Sequence, residues 1–343
     1  MSARVMAIIE SEAPRVEIYS IDEAFADLTG VQDITGTCRR IQTRILNEVG
    51  LPVCVGASTT KTLAKLANRA AKKYRATGGV VDLTDSARQK RLLALTDVAD
   101  VWGVGPRLVK RLRSLNIHTA LDLATGEPKA LHEAFSVVLA RTARELNGVS
   151  CIDLESEAPV QQQIVCSRSF GDRVEDKELM RQALVRFTAN AAQRLRSQGL
   201  LAGQYTIFIR TSPFSGDPYY ANSLSERLPW PTDDTGAMTE RLDTLLGAIW
   251  RDGFRYAKAG AMLTDLYPQG SQQADLFDGS RSSEAGQGRE HLLALMDSLN
   301  RQSRGQLKFA SEGLTTAKSD MRQERLSPRY TTRFDEVPVA RLA

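Results

Sequence analysis

Tyr19-Ser20-Ile21-Asp22-Glu23-Ala24-Phe25 is the stretch on which the reading of this chain turns. Val16 to Tyr19 and Ala24 to Leu28 read as short strands, the first of them buried, and Ser20-Ile21-Asp22-Glu23 is a tight connection between them. Neighbouring strand residues face opposite ways, but a turn can bring both carboxylates toward one site. Oxygen donors without histidine suit a hard divalent cation such as Mg2+. Two such ions can clamp an in-line displacement at phosphorus. Asp-Glu pairs are also ordinary turn residues, so the surroundings must decide.

Upstream, residues 2–11 read as a short helix that ends at Pro14. Downstream, Arg39 to Val49 keeps helical apolar spacing, and Val53-Cys54-Val55 is a short strand running into Gly56. Thr60 to Tyr74 is a helix with Leu63, Leu66, Ala67 and Ala70 on one face. Val80 to Leu83 is a further strand. The order ββαβαβ predicts one mixed sheet layer. Lys61 and Lys65 are four apart and share a helix face. With the positive helix N-terminus they could hold a triphosphate. The Walker spacing is absent, and a solvated lysine face is the plain alternative.

Residues 87–146 read as short helices. Val101-Trp102-Gly103-Val104-Gly105-Pro106 leads into a helix with Arg107, Lys110 and Arg111. Glycines let the backbone approach a phosphate, and such a loop grips a nucleic-acid backbone without reading bases. A plain turn between helices is the alternative; the third glycine of a dinucleotide fingerprint is missing. After a polar link come a strand at Ile164 to Phe170, a helix at Met180 to Arg196 and a strand at Gln204 to Thr211. A polar insertion at 213–236, a helix at Thr239 to Trp250 and a strand at Ala259 to Leu266 complete a βαβαβ unit. Residues 268–290, rich in Gln, Gly and Ser, read as flexible, followed by a helix at 289–300 and a basic tail.

With 343 residues the chain has room for two or three domains. Its net charge is +4, yet three stretches (58–75, 101–115 and 180–198) hold basic residues and no acid. Clustered cations of this kind suit a polyanion, nucleic acid first. The four cysteines form no C-x-x-C pair, which argues against zinc and for a reduced, cytoplasmic chain. The three isolated histidines weaken any histidine-based hydrolase scheme. No apolar run approaches the ~18 residues of a membrane span.

Tyr19–Phe25, Lys61-Thr-Leu-Ala-Lys65 and Trp102-Gly-Val-Gly105 together resemble the Y-family translesion DNA polymerases. Cys166-Ser-Arg-Ser-Phe-Gly171, Thr211-Ser-Pro-Phe214 and Ser327-Pro-Arg-Tyr-Thr-Thr-Arg333 resemble the UmuC-like subgroup, the SOS error-prone polymerase subunits. The match runs in order along the whole chain. It implies an α+β protein: a ferredoxin-like palm at 1–94, a helical thumb with a helix-hairpin-helix at 95–158, a little finger at 159–267, and a clamp-binding linker and tail at 268–343. It implies that Asp22 is a metal ligand and Glu23 the neighbouring acid that supports the attacking 3′-OH end, at a two-Mg2+ site. Lys65, with Lys61 nearby, would contact the incoming dNTP. Gly103, Gly105, Arg107, Lys110 and Arg168 would hold primer-template DNA. Gln273, Leu276 and Phe277 resemble the peptide that docks on the sliding clamp. A UmuD-like dimer and a recombinase filament are further partners the resemblance suggests.

One departure tempers this. The family carries another metal-binding Asp on a first palm strand, then the fingers, before the acidic hairpin. Residues 1–19 contain neither Asp nor Phe. The expectation is a chain without that strand, the steric-gate aromatic and the fingers, with impaired or absent polymerase activity but retained DNA binding. The alternative is a non-catalytic DNA- and clamp-binding remnant. A nuclease or ligase has no supporting motif.

Overall fold

Helix α1 (Ser2–Glu12) leads into an antiparallel hairpin of β1 (Arg15–Ile18) and β2 (Ala24–Asp27), in which Val16 faces Ala26 and Ile18 faces Ala24. The computed structural model describes residues 1–155, 161–270, 284–302, 307–313, 326–330 and 333–340. Its residues fall into two units, Met1–Pro159 and Val160–Ala343.

In the first unit, α2 (Ile34–Val49) buries Cys38, Ile41, Ile45 and Val49, the helical spacing seen in the sequence. Asp33 caps its first turn by accepting from the Gly36 amide. Strand β3 (Val55–Ala57) pairs in parallel with β4 (Val80–Asp82), and α3 (Lys61–Lys73) packs on it. That approach requires Gly56: a Cβ there would lie 2.1 Å from the Asn68 nitrogen and 2.5 Å from the Ala64 oxygen. The single mixed layer expected from ββαβαβ is not formed among the described residues. β1–β2 and β3–β4 are separate two-stranded sheets.

The expected buried strand is also different. β1 buries Glu17, 8% exposed, and leaves Ile18 56% exposed. Glu17 goes inside because Lys61 waits there for its carboxylate. The short helices that follow are α4 (Ser86–Leu95), α5 (Pro106–Ser114), α6 (Ala120–Thr125), α7 (Pro128–Ala134) and α8 (Val137–Leu146). Leu93, Val98, Leu112, Leu123, Leu139 and Leu146 form their core, and Leu63 and Leu66 of α3 belong to the same cluster.

The second unit is a four-stranded antiparallel sheet, ordered β5-β8-β6-β7. Its strands are β5 (Gln163–Val174), β6 (Leu200–Thr211), β7 (Ala221–Thr232) and β8 (Tyr256–Pro268). Helices α9 (Lys177–Ser197), α10 (Thr235–Thr239) and α11 (Leu242–Ile249) share its core. Strand β7 falls where a polar insertion was expected. It is an edge strand with Leu228 as its one buried residue, and it carries Pro229 and Pro231, which edges tolerate. Helix α12 (Glu284–Gln302) is tied to this unit by Asp297, which takes two hydrogen bonds from Arg196 at 2.7 and 3.1 Å. No helix among the described residues is long and apolar enough to cross a membrane.

Candidate active site

The connection at 19–23 is closed by its own backbone: the amides of Tyr19 and Ser20 both donate to the Glu23 carbonyl. The Ser20 hydroxyl donates to Asp22 Oδ1 at 2.6 Å. That bond is the main reason the Asp22 carboxyl is held below its usual range; its own amide and the positive charges of Lys72 and Lys65 add to it. Asp22 is therefore an ionised, solvent-facing carboxylate.

Glu23 is engaged differently. Lys65, from the second turn of α3, donates to Glu23 Oε2 at 2.7 Å. Its ammonium also lies 4.5 Å from the Tyr19 ring centre, 5.4 Å from Trp102 and 5.8 Å from Phe25. The three rings pack on one another at 5.7 to 5.9 Å. Such cation–π contacts contribute roughly 0.5–2 kcal/mol each, the more so when water is excluded. Trp102 thus joins the glycine loop at 101–105 to the acidic hairpin, a contact no spacing in the sequence announced.

Lys61 takes no part in this opening. Its ammonium is buried between the Glu17 carboxylate and the Asp153 carbonyl, 2.7 Å away, with the Phe25 ring 5.0 Å off. The Glu155 amide completes the arrangement by donating to Glu17 at 2.8 Å. The N-terminus of α3, expected to add its positive end to a phosphate site, is filled from within. Glu145 of α8, 0% exposed, accepts from the Thr62 amide at 3.0 Å and from the amides of Cys151 and Ile152 at 2.7 and 3.1 Å. Thr60, the cap, donates its hydroxyl to the Glu145 carbonyl. An internal carboxylate occupies the anion position of this helix end. Lys72 stands exposed further along α3, seven residues past the Glu23-paired Lys65 and on the same face. Lys72 was not singled out in the sequence; its place within the basic stretch was the only signal.

Gly103 has φ +86° and Gly105 caps α5, and a Cβ on either would meet nothing within 4 Å. The loop surface is thus open to a ligand backbone, flanked by exposed Arg107 and Lys110. Arg168 lies exposed on β5 in the second unit. Gln273, Leu276 and Phe277 lie outside the described residues.

Known proteins resemble this chain over most of its length. The impB/mucB/samB family matches residues 1–69, which include the hairpin and the Lys65 turn, and its C-terminal domain matches residues 161–276. A domain of unknown function (DUF4113) matches residues 290–340. The chain is 49% identical over 343 residues to protein UmuC of Salmonella typhimurium, covering 98% of this chain and 80% of that protein. It is 44% identical to SamB of Salmonella typhimurium over 348 residues, covering 100% of this chain and 81% of that one. DNA polymerase IV of Moorella thermoacetica is 30% identical over 285 residues, covering 80% and 68%. A solved Y-family DNA polymerase chimera shares the fold with a TM-score of 0.59 at 20% identity, covering 78% of this chain and 76% of its own. With that identity sustained along nearly its whole length, the chain belongs to the impB/mucB/samB family of Y-family DNA polymerases.

Proposed function

We propose that this chain performs template-directed nucleotidyl transfer of the translesion type, with its chemistry at the Asp22–Glu23 hairpin. The observation that carries this is the Lys65 ammonium at the hairpin tip beside an ionised Asp22, in a chain 49% identical to UmuC. The donor set fits Mg2+ in kind: two hard carboxylate oxygens on a solvent-facing turn. Among the described residues no group of three or more His, Cys, Asp or Glu gathers, so these two acids are the ligands offered. Bound there, Mg2+ would offset the negative charge of the reacting phosphates.

The remaining work falls to the chain's own residues. Ser20 fixes the orientation of the Asp22 carboxylate. Lys65 draws the triphosphate along α3, with Lys72 behind it; Lys61 serves instead to hold β1 against α3. The open loop at Gly103 and Gly105, with Arg107 and Lys110, holds the DNA backbone without reading its sequence. Arg168 does the same from β5. In this reading residues 1–94 are the palm, 95–158 the thumb and 159–267 the little finger. Gln273, Leu276 and Phe277 serve a sliding clamp, and a UmuD-like dimer and a recombinase filament are the other partners. The cytoplasm is the compartment such an activity implies.

Primer-template binding and extension, measured in the same tubes with Mg2+ and dNTPs, test the reading. Wild-type chain should bind the primer-template and extend it only weakly, because among the described residues no third ligand gathers with the two hairpin carboxylates. Asp22→Ala should bind equally and lose extension by more than the ~10–100-fold that an outer-shell ligand partner costs. Binding with no extension by the wild type would support a DNA-holding module in its place. Extension that survives Asp22→Ala would remove the hairpin from the chemistry.

A further inference from the structure

Lys65 and Glu23 each satisfy the other. The Glu23 carboxylate accepts the ammonium at 2.7 Å, and three aromatic rings cover much of the rest of that ammonium, whose side chain is 18% exposed. A triphosphate approaching Lys65 therefore competes with Glu23 for its charge, and it meets the Asp22 charge one residue away. A cation approaching Glu23 must displace Lys65 in turn. Neither exchange is favourable alone, because each strands a partner. Cation on the carboxylate and phosphate on the ammonium restore both pairings at once.

We propose that the Glu23–Lys65 ion pair is a latch: the triphosphate gains Lys65 only as a divalent cation takes Glu23, so that each ligand raises the affinity of the other. This rests on the assignment of Lys65 to the triphosphate made above. Linkage makes the coupling reciprocal, and couplings of this kind span about 5–150-fold. The aromatic box matters to it. With Glu23 withdrawn, Tyr19, Phe25 and Trp102 keep the ammonium in place and partly dry, where an anion is held more strongly than on a free surface lysine.

The test needs no turnover. Inorganic triphosphate is titrated calorimetrically into the full chain in the presence of EDTA. Wild type is compared with Glu23→Gln, Lys65→Gln, the double variant and Asp22→Asn, each checked for folding by thermal melt. Glu23→Gln should bind the metal-free triphosphate at least about fivefold more tightly than wild type. The gain should vanish in the double variant. Asp22→Asn, which removes an equal charge without touching Lys65, should gain less. In the reciprocal experiment Lys65→Gln should bind Mn2+ more tightly, read by electron paramagnetic resonance.

No tightening in Glu23→Gln overturns the latch. So does a gain that persists without Lys65, or an equal gain in Asp22→Asn, since either reports net charge alone. If the latch fails while Lys65→Gln still weakens Mg2+-supported dNTP binding, the phosphate role of Lys65 stands by itself. If Lys65→Gln changes neither measurement, the latch and the assignment beneath it both fall.

Discussion

In Val160–Ala343 one apolar core runs from Ile164 to Leu263, filled by Leu184, Phe187, Tyr205 and Tyr256 between sheet and helices. Met1–Pro159 divides its apolar residues among smaller clusters, the largest around Leu63, Leu93 and Leu146. What ties those clusters is polar. Glu145 joins α8 to the start of α3, and Lys61 with Glu17 joins α3 to β1 and to the segment at 153–155. A single core fixes its elements by shape. Several small ones need directional bonds to hold helix and hairpin in register, and the candidate site lies one turn along α3 from them.

The contrast can be broken by mutation. The largest effect should come from Leu184→Ala, a fully buried side chain in the second core: about 2–5 kcal/mol lost from chemical denaturation of that unit. Glu145→Ala follows. It leaves the Thr62, Cys151 and Ile152 amides without their acceptor, a loss of about 2–3 kcal/mol confined to the first unit. Hydrogen exchange should speed at residues 62, 151 and 152, and Glu145→Gln, which keeps an acceptor oxygen, should restore part of the protection. If both alanine variants lower one shared unfolding transition equally, the two units are a single cooperative body and the contrast fails.

The smallest effect sharpens the picture at the hairpin. Ser20→Ala removes the bond that chiefly lowers the Asp22 pKa, so an NMR titration should show that pKa rising toward the ordinary ~3.9. The sign follows from linkage. A carboxyl depressed in the folded state favours that state above its unfolded pKa, and the contribution is lost as pH falls through the folded value. In the serine variant that window should narrow. An unchanged Asp22 titration would move the cause to Lys72 and Lys65.

Much of this is legible in the sequence. Apolar spacing marks α3 and the last three turns of α2, and glycine breaks divide the helices between residues 87 and 146. Asp22, Glu23 and Lys65 were readable as a group because a turn and a helix turn each left a recognisable pattern. The misses have physical reasons. Strand β7 turns a polar face to solvent and carries two prolines, so it reads as a loop. Glu145 is one acid in an amphipathic helix, and sequence does not say that its carboxylate turns inward to cap another helix. Lys61 and Lys65 look equivalent at spacing four. Only the fold separates the lysine that is buried against Glu17 from the one that reaches the hairpin.

Trp102 gives the hairpin an optical voice. Of the three tryptophans, Trp230 and Trp250 belong to the second unit, and Trp102 alone sits beside the Lys65 ammonium and the ring of Tyr19. An indole near a charge that comes and goes changes its emission with that charge. With phenylalanine at positions 230 and 250, the chain would carry a single tryptophan, at the contact between the acidic turn and the glycine loop. Movement of the lysine would then be followed in real time without a dye.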